Sequence, residues 1–193
     1  GFIATYNIAF DQWTAAASIG TDRNEEFRSF TALSNGTFAA LSTSTGDVDN
    51  YSSIQGAKNC TTSDISVSTC TMVVYLDQQL IGTGMQVLQS TKSVIGGDIT
   101  EIASTGKILV TGYFSQRLLV GTGYIESVGN TTTDIFVCRL SSNGQFESFS
   151  AFGGMGNDEA RSIAKTSTGF VVSGTTESTN DSQSRVYKPS LGW

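Results

Sequence analysis

The sequence predicts an all-β fold of β-propeller blades, each a four-stranded antiparallel unit, with about three complete repeats and the start of a fourth. Three observations predict it. Short apolar runs alternate with Gly- and Asn-bearing turn signals along the chain. The runs recur as an internal repeat, the mark of a stacked architecture. Helical periodicity is missing, and 21 Gly with a single Pro suit many short strands joined by turns. The alternative is a β-sandwich in which the repetition is a coincidence of composition.

The elements follow in order. Residues 1–45 read as the first blade-like repeat, 70–116 as the second and 134–180 as the third, and 181–193 begin a fourth. Residues 46–69 and 117–133, rich in Ser, Thr, Asn and Gly, read as insertions protruding from one edge of a blade. The clearest unit is 134–178. Its strands are Asp134–Leu140, Phe146–Phe152, Ala160–Ala164 and Phe170–Ser173, separated by Asn143-Gly144, by Gly153-Gly154-Met155-Gly156 and by Thr168-Gly169. Residues 20–44 lie over 153–177 without a gap, placing Asn24 on Asn157, Arg28 on Arg161, Ser29 on Ser162 and Gly36 on Gly169. Extended backwards, Trp13 falls on Phe146, and Phe2–Tyr6 on Ile135–Arg139.

The middle copy is fainter. Val73–Leu76 followed by Asp77-Gln78 echoes Ile8–Phe10 followed by Asp11-Gln12, and Gly96-Gly97-Asp98 echoes the glycine segment of the third copy. An apolar anchor thus recurs at Trp13, Leu80, Phe146 and Trp193, so Val186–Trp193 is expected to open a fourth blade. One small sheet cannot bury both its faces and needs copies stacked alongside. Propellers close with about four to eight blades. The expected partners are therefore other copies of the chain or the rest of a longer one. The opening Gly1 reads as a processed or truncated start.

The third copy resembles the bacterial β-propeller repeats called SBBP repeats. The residues that carry the resemblance are Phe136–Arg139, Gly144, the segment from Gly153 to Asp158, Ala160-Arg161-Ser162-Ile163-Ala164, Gly169, Val171-Val172 and Gly174-Thr175-Thr176-Glu177-Ser178. It is partial over 2–44, where Glu25 stands in the Asp place, and weak over 71–116. The resemblance implies a propeller blade and brings no catalytic residues.

Composition excludes several functions. A formal charge of −6 argues against nucleic acid and anionic membrane as partners. No apolar run reaches the roughly 18 residues of a membrane-spanning helix, so no membrane insertion is expected. The chain has no His, which removes the usual base of Ser and Cys nucleophiles and the commonest metal ligand. The segment GGMGNDEAR at 153–161 fits one copy of a calcium-binding nonapeptide, but such sites need adjacent turns. It reads as a tight turn with glycines at positive φ and with Asp158 accepting backbone N–H groups. Gly82-Thr83-Gly84 and Gly121-Thr122-Gly123 read as turns. The adjacent Asp158 and Glu159 diverge on an extended chain, so no carboxylate pair is placed for hydrolysis. Catalytic, metal and cofactor residues are therefore not assigned.

Cys60 and Cys70 flank a short polar loop and suit a disulfide, whereas Cys138 alternates with Phe136 and Leu140 as a buried core thiol. Five N-glycosylation sequons begin at Asn35, Asn50, Asn59, Asn130 and Asn180, and Asn35-Gly36 also reads as a hairpin turn. These features point to an extracellular or cell-surface protein. The favoured function is a non-catalytic structural or adhesive glycoprotein, a subunit or segment of a surface filament or coat. The first alternative is a carbohydrate- or protein-binding module, with Tyr51, Tyr113, Phe114 and Tyr124 as candidate ligand-facing aromatics. The second is a glycan-processing enzyme.

Overall fold

The computed structural model describes residues 2–18, 25–45, 69–120, 123–178 and 183–187. All its elements are strands, and all pairings are antiparallel. The first seven are β1 (Phe2–Asn7), β2 (Gln12–Ser18), β3 (Glu25–Ala32), β4 (Phe38–Thr45), β5 (Thr69–Leu76), β6 (Gly82–Ser90) and β7 (Ser93–Ile102). Then come β8 (Lys107–Ser115), β9 (Arg117–Val120), β10 (Gly123–Glu126) and β11 (Thr133–Leu140). The last are β12 (Phe146–Gly153), β13 (Asp158–Lys165), β14 (Phe170–Thr176) and β15 (Gln183–Tyr187).

They form four sheets: β1-β2, a six-stranded sheet ordered β10-β9-β6-β5-β4-β3, a five-stranded sheet ordered β15-β12-β11-β8-β7, and β13-β14. No barrel or ring closes among the described residues. The ladders straddle the repeat boundaries read from the sequence. β3-β4 continue into β5-β6 and β7-β8 into β11-β12, while β1-β2 and β13-β14 stand as separate pairs. Each large sheet is a meander of the last two strands of one repeat and the first two of the next. The reason is pairing strength across the boundary: β4 and β5 keep an unbroken register from Phe38↔Leu76 to Thr45↔Thr69, whatever lies between them in sequence.

The sheets stack as layers. One cluster, with Met72, Val74 and Leu76, lies where the β1-β2 hairpin rests Ile3, Ala15 and Ala17 on the six-stranded sheet. The main core lies between the two large sheets and includes Leu41, Val73, Phe114, Phe136, Cys138 and Phe149. Each fully buried Phe there contributes about 2–3 kcal/mol of transfer free energy. Strands β5 and β8 have layers on both sides and are buried almost continuously. Strand β11 alternates, with Asp134, Phe136, Cys138 and Leu140 inward, so Cys138 is a buried, free thiol as its sequence spacing predicts.

Three hairpins share one turn design. Asn7 Oδ1 accepts Ala9 N, Asp77 Oδ1 accepts Gln79 N and Ile81 N, and Ser141 Oγ accepts Gln145 N. Each turn then uses one left-handed residue: Asp11 at φ 53°, Leu80 at 61° and Gly144 at 81°. Leu80 is therefore a turn residue and not the anchor expected from sequence. Across each hairpin a bulge sets Tyr6 opposite Trp13, Leu76 opposite Gly82 and Leu140 opposite Phe146. Tyr6 thus corresponds to Leu140 instead of Arg139, because the first turn is one residue longer. Such a slip exchanges the two faces of a strand. Ile8 and Phe10 lie exposed in that turn, so their echo of Val73–Leu76, inside β5, does not hold.

The second insertion is not a protruding loop. It folds as β9-β10 and pairs on the outer edge of β6 through Gln89↔Leu119 and Ser90↔Leu118. β15 likewise pairs with β12 on the outer edge of the five-stranded sheet, where a strand opening a fourth blade was expected. Tyr51, Cys60 and Trp193 lie outside the described residues, as do Asn50, Asn59 and Asn180.

Candidate functional site at three edge strands

β3, β7 and β13 are each the edge strand of their sheet, and they lie side by side. Each carries a bulge at a matching place: between Phe27 and Ser29, between Gly96 and Asp98, and between Ala160 and Ser162. The bulged residues are Arg28, Gly97 and Arg161, which makes Ser29, Asp98 and Ser162 equivalent. Gly97 is required by space, since a Cβ there would stand 2.5 Å from the Ala160 carbonyl oxygen. Bulges re-aim the following side chain. Here they aim the three equivalent residues at one another.

Asp98 binds all three strands together. The Ser29 hydroxyl donates to Oδ1, and Ile99 N donates to the same oxygen at 2.9 Å. Ser162 Oγ and Ile163 N donate to Oδ2 at 2.8 and 2.9 Å. Partial burial pushes the Asp98 carboxyl up, but the bonds from Ser29, Ile163, Ser162 and Ile99 outweigh it and hold the group below its ordinary value. A carboxylate so stabilised is a weak base, unsuited to activating either serine. Nearby, Glu101 accepts Ser34 N and Ser34 Oγ at 2.8 and 2.9 Å, a second tie between the β3-β4 turn and β7.

The flanking charges are paired. Arg28 meets Glu26 at 3.0 Å, and Arg161 meets Glu159 with the same spacing along its strand. The Arg161 guanidinium also sits 5.6 Å from the Tyr113 ring centre. Burial and then the Glu159 charge raise the Tyr113 hydroxyl pKa, against the opposing pull of Arg161 and Arg28. Among the described residues no three acidic or sulfur side chains group as a metal site.

The 153–158 segment is a folded corner. Asp158 is buried and accepts the Thr176 hydroxyl, Ser178 Oγ at 2.7 Å and Gly154 N at 3.0 Å. Burial raises its pKa, and these bonds bring it below the ordinary value. The glycine reading is corrected in one respect. Positive φ belongs to the hairpin glycines Gly36, Gly106 and Gly144, not to this segment. Gly153 and Gly156 are needed for close approach, since a Cβ would fall 2.5 Å from Asp134 Cγ and 2.6 Å from the Glu177 carbonyl carbon.

Among the described residues the candidate aromatics Tyr113, Phe114 and Tyr124 do not converge. Phe114 is fully buried in the main core and faces no ligand, a correction that follows from its place within β8 instead of a loop. Tyr113 is half-buried beneath Arg161, and exposed Tyr124 stacks under Arg117 at 4.5 Å. A polar hollow of about 460 Å³ lies nearby, lined by Thr91, Gln116, Arg117, Glu126, Ser127 and Asn130. Asn35 and Asn130 are exposed, and Asn35 Oδ1 accepts Thr37 N at 3.0 Å within the hairpin turn. Cys70 is buried at the start of β5.

Sequence reasoning missed Asp98 because it laid Gly96-Gly97-Asp98 over the glycine corner. The available signal was the hairpin glycine. Counting back from Gly36, Gly106 and Gly169 brings Ser29, Asp98 and Ser162 into one column, once the middle turn is allowed an extra residue. Compared with known proteins, the chain matches no family model and no curated sequence.

Proposed function

We propose that the chain is a run of β-propeller blades of the SBBP-repeat kind, serving as an extracellular, non-catalytic structural or adhesive glycoprotein in a surface filament or coat. The Asp98 tie carries this reading. Three repeat-equivalent edge strands meet at one saturated carboxylate, the arrangement expected where the inner strands of successive blades surround an axis. Charges beside it are consumed in pairs, which supports scaffolding over chemistry. Exposed Asn35 and Asn130 are the supporting sites for glycans, with Asn50, Asn59 and Asn180. A Cys60–Cys70 disulfide is supported by buried Cys70 and by Cys138 being the free thiol among the described residues. The partners are other copies or further blades of a longer chain. Glycopeptide mapping of native material tests the reading: occupied sequons and oxidised Cys60 and Cys70 are expected, whereas bare sequons with reduced thiols would point to a cytosolic scaffold.

The polar hollow beside Tyr124 favours a second reading, a carbohydrate-binding module. Glycan binding that Tyr124→Ala abolishes would establish it. A glycan carried on Asn130 would instead occupy the hollow.

A further inference from the structure

We propose that Asn130 accepts its glycan only before the loop between β10 and β11 has folded, because folding seals the hydroxyl that its sequon must present. The inference rests on the glycoprotein reading above and sets the order of events at one of its sites. An Asn-x-Ser/Thr acceptor offers two groups together: the amide that takes the sugar, and the hydroxyl two residues on that the transferase binds. In the transfer the Asn side-chain nitrogen attacks the anomeric carbon of a lipid-diphosphate oligosaccharide. A C–N bond forms and the C–O bond to the diphosphate breaks. The lipid diphosphate leaves, and the nitrogen gives up one proton to a base of the transferase. Asn130 and Thr132 must therefore both be open to the enzyme.

The fold offers one of these groups and hides the other. Asn130 is exposed at the rim of the polar hollow. Thr132 turns inward: its Oγ1 is buried and makes no hydrogen bond among the described residues. The space for it is left by Gly129, itself buried, where a Cβ would overlap Thr132 Oγ1 and stand 3.2 Å from Thr132 Cβ. The hydroxyl thus fills the slot that a side chain at 129 would take. The loop is tied on both sides of the sequon. Ser127 Oγ donates to Gly129 O at 2.8 Å, and Val128 N donates to Asp134 Oδ2 at 3.0 Å. Residues 128–132 consequently run as successive bends, not as the extended chain that reaches into a transferase groove. The glycine corner completes the seal. Thr133 N donates to Asn157 Oδ1 at 3.3 Å, and the Met155 carbonyl oxygen would lie 3.5 Å from the same Cβ at 129. Met155 and Asn157 come after β12, so during synthesis Asn130 and Thr132 emerge before the residues that close over them. Asn35 is a contrast, since its Thr37 hydroxyl lies on the exposed hairpin and donates to Asn35 Oδ1 at 2.7 Å.

The test gives the full chain to the same transferase at two times. In one arm the chain is made in secretory microsomes and meets the enzyme during synthesis. In the other it is folded first, then mixed with detergent-solubilised microsomes and the lipid-linked donor, with a free acceptor peptide to report that the enzyme works. Mass spectrometry of the peptide carrying Asn130 should find a glycan in the first arm and at least about 10-fold less in the second, since the folded loop must first open. Gly129→Ala should restore acceptance by the folded chain. Its methyl takes the slot of the Thr132 hydroxyl, which regains water when expelled. Unchanged amide exchange along β11 would show that the hydroxyl was freed without unfolding the strand. Equal occupancy in the two arms, or none in either, would overturn the proposal, as would a folded Gly129→Ala chain that is still refused. Native material separates this failure from that of the glycoprotein reading. A bare native Asn130 beside the expected two-arm result would remove the glycan from the protein's own role and leave the order of events. Equal occupancy in the two arms would remove the order and leave the reading.

Discussion

The closed seams and the open edges are built from the same repeat positions, yet they present opposite surfaces. Phe136 on β11 is inaccessible to solvent, and Phe2, its equivalent on β1, is among the most exposed apolar side chains of the chain. Nothing local distinguishes them. Both lie on short antiparallel strands hydrogen-bonded to a following hairpin partner. What differs is the layer in front: Phe136 meets the six-stranded sheet, and Phe2 meets no sheet among the described residues. In a repeat fold burial is a property of the neighbour.

The largest expected effect breaks a closed layer and spares an open one. Phe136→Ala should cost about 3–5 kcal/mol in denaturant unfolding, through lost burial and the cavity left behind. Phe2→Ala should cost under about 0.5 kcal/mol, because the side chain is already largely exposed. Next comes the tie between layers. Asp98→Ala should cost about 2–4 kcal/mol, because donors from three strands lose a charged acceptor. Its pH dependence has a definite sign. The folded Asp98 and Asp158 carboxyls lie below their ordinary values, so the folded state holds fewer protons than the unfolded one through the acid range. Their contribution is full above the ordinary carboxylate pKa and is lost as pH falls through the folded values. Asp98→Asn should therefore flatten the acid limb of an unfolding titration, leaving the Asp158 part. Gly97→Ala follows at about 1–3 kcal/mol, since the new methyl meets β13 backbone that cannot swing aside. The smallest change is at the exposed Arg117–Glu126 pair, where solvent screens the charges and neutralising Glu126 should leave the unfolding midpoint unchanged within experimental error.

Much of the fold was legible residue by residue. Alternation along Phe136, Cys138 and Leu140 located a core strand, Asn143-Gly144 located a left-handed turn, and the residues around Asp158 announced an acceptor for backbone donors. Those signals are local, encoded within a few residues of where they act. The phase of the sheets was not legible, because β4 and β5 choose each other across the whole first insertion. Leu80 misled for a related reason. Its apolar side chain is buried at 3% exposure, as an anchor's would be, while its backbone serves as the left-handed turn residue that Gly144 supplies elsewhere. Asp98 escaped notice because its partners, Ser29 and Ser162, come from two other repeats, and only the bulge alignment sets them opposite one another.

Amide hydrogen exchange read by mass spectrometry tests the phase of the sheets most directly. If the ladder runs β3-β4-β5-β6, peptides from Glu25–Ala32, Phe38–Thr45, Thr69–Leu76 and Gly82–Ser90 share one slow opening, and mild denaturant exposes them together. Phe2–Asn7 and Gln12–Ser18 then exchange earlier, as a unit of their own. Finding β1 through β4 opening as one cooperative unit, with β5 and β6 opening separately, would contradict the account.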